Sequence, residues 1–188
     1  DTAVVTNQIA VITRPGADSR RGETGPVIRL LGEMFRKVEM IKAPGKLDGG
    51  DVMHCHAQFF VGLSERTNEE GIRQFNNIVS RYGYGTVPIP LGDMLHLKTG
   101  VSYLHHNNLL VDESMMNQSE FEGFNKIVVS GDERYAANSL WINGRVLTPA
   151  GFPATREKIR KAGYEVIEVE VSEFRKLDGG LSCLSLRL

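Results

Sequence analysis

The stretch "SLWINGRVLTPAGFPATREKIRKAGYEVIEVEV" (residues 139–171) decides the fold. Two β-rich runs flank Asn143-Gly144, a pair suited to a tight hairpin because both central residues tolerate positive φ. "PATREKIRKAG" then reads as a helix stopped by Gly163. "YEVIEVEV" alternates as a strand does. The order is β-β-α-β.

Reading outward, the same order recurs. "TAVVT", "QIAVIT", "RRGETGPVIRLLGEMF" and "VEMIKA" form a first pass, with the turn "RPGADS" between strand and helix. "DVMHCHAQFFVGL", "RTNEEGIRQFNNIVSRYG" and "TVPIPL" form a second, with Thr67 or Asn68 as the helix N-cap. "VSYLHHNNLLVD", a shorter helix in "QSEFEGF", and "NKIVVS" form a third. Helix starts near residues 19, 67 and 154 fit a repeat of roughly 45 residues, within the range of repeat architectures. A closed ring is favoured over an open stack, since no capping unit is visible. In a ring the loops converge on one central site. The phrase Leu-Asp-Gly-Gly, at 47–50 and again at 177–180, is then expected to mark equivalent corners where glycine lets backbones approach closely.

Composition narrows the function classes. With 188 residues, 41% hydrophobic and 24% charged, the chain is expected to form one globular domain over 1–188. A formal net charge of -1 offers none of the broad basic surface that nucleic acid rewards. No apolar run reaches the roughly 18 residues of a membrane span, and the start "DTAVVTNQIAVITRPG" has no signal-peptide pattern. The expected protein is soluble and cytoplasmic, with no nucleic-acid or membrane partner. Two cysteines, Cys55 and Cys183, make no disulfide framework, so their reactivity is the open question.

Cys183 lies among apolar residues on what reads as the last strand, either as a core thiol or as a nucleophile that needs a base elsewhere. "HCH" at 54–56 resembles a metal cluster, but on a strand Cys55 faces away from His54 and His56. His105 and His106 read as turn residues. His96, among leucines on a loop that a ring would point inward, is a core histidine or a base. Asp48 and Asp51 bracket the first Gly-Gly, where an acid could hold an imidazole and stabilise its protonated form. A turn aspartate bonding its own backbone is the alternative.

Five stretches, "ITRPGADSRRGE" (12–23), "LDGGDVM" (47–53), "FFVGLSERTNEEG" (59–71), "LHLKTGVSYL" (95–104) and "LDGGLSCLSL" (177–186), together resemble the dimethylarginine dimethylaminohydrolase family. The resemblance implies an α/β fold, a five-bladed α/β propeller of ββαβ units shared with arginine deiminases and amidinotransferases. About four units lie in this chain, which would make it a partial catalytic domain whose first unit precedes Asp1. It implies Cys183 as nucleophile, His96 as general acid and base, and Asp48 as the acidic partner of His96. Arg20 and Arg66 would hold the substrate's amino-acid end, Asp1 its guanidinium, and the Leu177 carbonyl its α-amino group. The implied reaction is hydrolysis of methylated arginine to citrulline and a methylamine. An arginine deiminase-type hydrolase and a silent methylarginine-binding propeller are the alternatives. The implied partner is a small-molecule substrate, with the protein a monomer or homodimer. No cofactor is required, and zinc captured by Cys183 and His96 would inhibit.

Overall fold

In a computed structural model, which describes residues 1–186, the chain builds three-stranded sheets of one repeated design. The first comprises β1 (Ala3–Val5), β2 (Ala10–Ile12) and, beyond helix α1 (Thr24–Met34), β3 (Val38–Met40). β1 and β2 are antiparallel with Ala3 opposite Ile12, while β3 returns parallel to β2 with Val38 opposite Ala10. A 3-10 turn over Asp18–Glu23 leads into α1, so the helix proper starts later than its spacing suggests.

The second sheet comprises β4 (Val52–Cys55), β5 (Gln58–Leu63) and, beyond α2 (Glu69–Val79), β6 (Gly85–Pro90). Asn68, not Thr67, is the N-cap of α2, its side chain accepting from the Gly71 amide at 2.9 Å. Thr67 is occupied elsewhere, as described below. The apolar face of α2 sets Ile72, Phe75, Ile78 and Val79 against Phe59 and Val61 of β5, and Ile9, Val11 and Leu47 extend the same core. Val61 pairs with Val52 on one side and Pro88 on the other. Proline is tolerated there because β6 is an edge strand.

After a short helical turn, α3 (Leu97–Gly100), the third sheet comprises β7 (Val101–Tyr103), β8 (Asn108–Asp112) and β9 (Asn125–Val129). The expected helix between β8 and β9 is absent. Two 3-10 turns, Glu113–Met115 and Ser119–Phe121, take its place. The reason is local: the Asp112 carboxylate accepts from both the amide and the hydroxyl of Ser114, at 2.8 and 2.5 Å, closing a turn that competes with helix. Phe121, fully buried, anchors the segment.

The fourth sheet comprises β10 (Leu140–Ile142), β11 (Arg145–Pro149) and, beyond α4 (Pro153–Lys161), β12 (Glu165–Val169). Asn143 and Gly144 take φ of 50° and 79°, the tight hairpin turn the sequence calls for. The α4 N-terminus is capped from a distance, with Glu133 accepting from the amides of Ala154 and Thr155 at 3.0 and 2.5 Å. A final short helix, α5 (Ser172–Arg175), precedes the last described residues. The chain divides into two compact units, Asp1–Leu97 and Lys98–Ser185. No helix among the described residues is long and apolar enough to cross a membrane.

Candidate active site

In the first unit, the phrase at 47–50 is bound through each successive amide. Leu47 donates to Arg14 O at 2.9 Å, Asp48 to Thr67 Oγ1 at 3.0 Å, Gly49 to Asp1 O at 2.8 Å and Gly50 to Asp48 Oδ1 at 3.3 Å. The glycines are required by what lies against them. A Cβ on Gly49 would stand 2.7 Å from the Asp1 backbone. On Gly50 it would stand 2.8 to 3.0 Å from Cγ, Nδ1 and Cδ2 of His96, so the imidazole lies across the bare backbone.

That contact sets His96 against Asp48. The imidazole is buried, and its Nε2 is 3.6 Å from Asp48 Oδ2, an ion-pair separation rather than a hydrogen bond. Burial pushes the Asp48 carboxyl up, but the His96 imidazole facing it, the Gly50 amide and the Arg20 charge outweigh this and hold it below the ordinary aspartate value. The two groups thus face one another as a carboxylate and an imidazole, the pairing of an acid with the base it orients.

Asp1 joins the same group. Its backbone carbonyl accepts from Gly49 and from Thr13 Oγ1, both at 2.8 Å, which fixes the residue beside the phrase. Arg20 Nη1 lies 3.3 Å from Asp1 Oδ2 and 3.5 Å from Asp48 Oδ2, while its Nε and Nη2 hold the Glu23 carboxylate at 3.2 and 3.1 Å. Arg20 is thus gathered with the acids. Arg66 is held by its backbone: a Cβ on Gly16 would meet Arg66 Cα and O at 2.6 and 2.5 Å, so only glycine permits this approach. The Arg66 guanidinium makes no ion pair among the described residues. It is a cation with its charge available to an anion.

Asp51, which the sequence only brackets with Asp48, has a distinct place. Its carboxylate is 0% exposed and accepts from Ser64 Oγ at 2.8 Å, Thr67 Oγ1 at 2.6 Å and the Leu97 amide at 3.0 Å. Burial dominates here and raises its pKa, against the opposing donors and the nearby His96.

In the second unit, Cys183 is half-buried and lies in a turn, not on a strand. Its amide donates to Gly180 O at 3.0 Å, and the neighbouring Ser182 exchanges bonds of 2.9 Å with the Asn138 side chain through both its amide and its hydroxyl. A Cβ on Gly180 would stand 2.5 Å from Asn138 Nδ2. These side-chain bonds replace the strand ladder and bend the segment. Leu177 is 86% exposed. The turn that follows it is pinned by Tyr135, whose hydroxyl donates to Gly179 O at 2.6 Å, and Arg175 lies over the Tyr135 and Phe152 rings at 4.9 and 5.4 Å.

The other histidines fall outside both groups. His56, expected on a strand, sits in the β4–β5 turn at φ 54°, and its carbonyl is 2.7 Å from His54 Nε2. His105 and His106 are turn residues with φ of 65° and 49°. Cys55 is buried. Among the described residues, no three His, Cys, Asp or Glu side chains converge as metal ligands would.

Comparison with known proteins gives this arrangement a context. A family described as arginine deiminase matches residues 32–133. An N(G),N(G)-dimethylarginine dimethylaminohydrolase of Pseudomonas aeruginosa is 49% identical over all of this chain and 74% of its own length. One from Streptomyces coelicolor is 34% identical over all of this chain and 72% of its own. A crystal structure of the Pseudomonas aeruginosa protein, a cysteine-to-serine mutant complexed with citrulline, matches with TM-score 0.98 and 48% identity across the whole chain and 74% of that protein. With acid, imidazole, arginine and cysteine motifs carried on a chain this similar throughout, the protein belongs to the dimethylarginine dimethylaminohydrolase family.

Proposed function

We propose that the protein is a hydrolase acting on amidine C–N bonds, converting asymmetric dimethylarginine and monomethylarginine to citrulline with release of dimethylamine or methylamine. The observation that carries this is the match, over the full length of the chain, to an enzyme of that name whose crystal structure holds citrulline. The fold reading that goes with it is a five-bladed α/β propeller of ββαβ units, four of which correspond to the sheets described. The same reading makes 1–188 part of one catalytic domain.

A guanidinium carbon resists attack because resonance spreads its positive charge, so the reaction calls for a thiolate. Cys183 is that nucleophile. Its sulfur bonds to the guanidinium carbon, giving a tetrahedral adduct. The C–N bond to dimethylamine then breaks as protonated His96 delivers its proton to the leaving nitrogen, and a thiouronium remains on sulfur. His96, now neutral, takes a proton from water; the hydroxide adds to the same carbon, the C–S bond breaks as the hydroxyl proton is released to solvent, and citrulline departs with the thiolate and the imidazolium restored. Asp48 is the acidic partner that faces the His96 ring. Asp1 and Asp48 orient the guanidinium by charge-assisted bonds. Arg66 and Arg20 receive the substrate carboxylate, Arg20 by leaving its carboxylate partners, and the Leu177 carbonyl receives the α-amino group. Anchoring the remote end positions the reacting carbon.

No step calls for a cofactor. A thiolate and an imidazole are two zinc ligands of the four a closed site needs, so zinc held there would only block the nucleophile. The test is a parallel assay of dimethylarginine and free arginine, following citrulline with dimethylamine or ammonia. Citrulline and dimethylamine, abolished in Cys183→Ser, is the expected result. Turnover of free arginine alone makes the protein a deiminase, as the matching family model would have it. Turnover of neither, with Cys183 alkylated no faster than Cys55, makes it a binding protein.

A further inference from the structure

Asp51, like Asp48, is a fully buried charged group of the first unit, and the mechanism does not use it. Three donors converge on it: Ser64 Oγ and Thr67 Oγ1 on Oδ2, and the Leu97 amide on Oδ1. No cation stands within ion-pair distance of it among the described residues. The room it occupies is kept by Gly62, where a Cβ would stand 3.0 Å from Oδ1 and 2.6 Å from Leu91 Cδ1. A buried carboxylate without a counter-ion costs stability unless hydrogen bonds offset it, so its presence calls for a function.

The direction of each proton is fixed. Ser64 Oγ accepts from two amides, Arg66 at 3.0 Å and Thr67 at 3.1 Å, so its lone pairs are taken and its hydrogen must go to Asp51. Thr67 Oγ1 accepts from the Asp48 amide at 3.0 Å and passes its own hydrogen to Asp51. The Leu97 amide can only donate. A carboxylate satisfies all three donors, while an Asn amide would turn at least one N–H toward a donor.

What those donors belong to matters more. The Asp48 amide reaches Asp51 through Thr67, the Arg66 amide reaches it through Ser64, and Leu97 directly follows His96. One carboxylate therefore ties together three segments that are far apart in sequence.

We propose that Asp51 is the positioning residue of the reaction, its buried carboxylate fixing Asp48, Arg66 and His96 relative to one another through Thr67, Ser64 and the Leu97 amide. The proposal rests on the roles assigned above to those three residues. Its three arms do different work: the Ser64 arm holds the carboxylate-binding loop, and the Thr67 and Leu97 arms hold the acid and the base.

The test uses the full chain with Asp51→Asn, Thr67→Val and Thr67→Ser, read by kcat and KM on dimethylarginine and by amide hydrogen exchange. Asp51→Asn is expected to lower kcat/KM about 10- to 100-fold, the scale of a lost hydrogen bond to a charged group. The Asp48, Arg66, Thr67 and Leu97 amides should exchange at least ~10-fold faster together, while those of Leu109, Leu110 and Val111 stay unchanged. Thr67→Val should reproduce the loss in kcat, and Thr67→Ser, which restores the hydroxyl, should recover most of it. The proposal is overturned if the four amides keep wild-type exchange, if exchange quickens equally in β8, or if Thr67→Ser is no better than Thr67→Val. Should Asp51→Asn fail to fold, the Thr67 pair decides. Should the wild type release no citrulline, the proposed function fails, and the exchange pattern still decides whether Asp51 holds the three segments.

Discussion

At residues 47–50 the phrase Leu-Asp-Gly-Gly is buried throughout, whereas at 177–180 it runs from a Leu177 that is 86% exposed to a buried Gly180. The first copy is held by partners distant in sequence: Asp1, Arg14 and Thr67 each take one of its amides. The second copy is the cap of α5. Gly179 donates to Phe174 O at 2.9 Å and Asp178 to Arg175 O at 3.1 Å, with Asp178 at φ 56°, which is the Schellman arrangement at a helix C-terminus. Identical residues thus do unrelated work. In one copy the aspartate is a buried acid facing an imidazole; in the other it is an exposed residue in the left-handed conformation that usually falls to glycine. Both copies follow the last strand of a β-β-α-β unit, but their surroundings differ, because a phrase of four residues does not carry its own partners.

The largest effect that would break or sharpen this contrast is on the first aspartate. Asp48→Asn keeps the shape and removes the charge, and is expected to lower kcat about 100-fold or more, within the range of general acid–base contributions. The matched change Asp178→Asn should leave kcat within about twofold; equal losses at both sites would end the contrast. A pH series on the same variant adds a sign. The folded-state pKa of Asp48 is lowered, so its contribution to stability is present above the unfolded value of 3.8 and is lost as pH falls through the depressed folded value. The melting temperature of the wild type relative to Asp48→Asn should therefore decline below that value and stay level above it.

A smaller effect is expected at the glycines. Gly50→Ala would put a methyl group into the His96 ring and displace it, with a loss in kcat of roughly 10- to 100-fold, the scale on which small misplacements act. KM should change less than kcat, because the imidazole and not the arginines is moved. The smallest effect is a gain. Asp178→Gly removes the cost of a side chain in the left-handed region and should raise stability by about 0.5 kcal/mol, or roughly 1 to 2 °C in melting temperature, without changing kcat. A loss of stability there would show that the Asp178 side chain makes a contribution its backbone conformation does not reveal.

How much was legible follows the range of the interactions. The strands of the four sheets, α2, α4 and the Asn143-Gly144 turn depend on neighbours a few residues away and stand where the pattern puts them, while α1 starts later, at Thr24. The segment between β8 and β9 is not the helix its pattern suggests, because Asp112 and Ser114 close a turn that a hydrophobic pattern does not weigh. Cys183 was expected on a strand from its apolar neighbours, but the bonds between Asn138 and Ser182 bend that segment, and no local signal announces Asn138. Asp51 shows the same limit. Its residue type and its place after Gly-Gly were visible, while its partners at 64, 67 and 97 were not.

The sequence by itself determined the β-β-α-β order, the turn chemistry and the set of acids, arginines, histidine and cysteine, since these follow from local propensity and side-chain chemistry. Only the tertiary structure decided which aspartate ties the loops together and which one caps a helix. Those roles depend on burial and on hydrogen-bond partners brought in from distant segments, and neither quantity exists until the chain has folded.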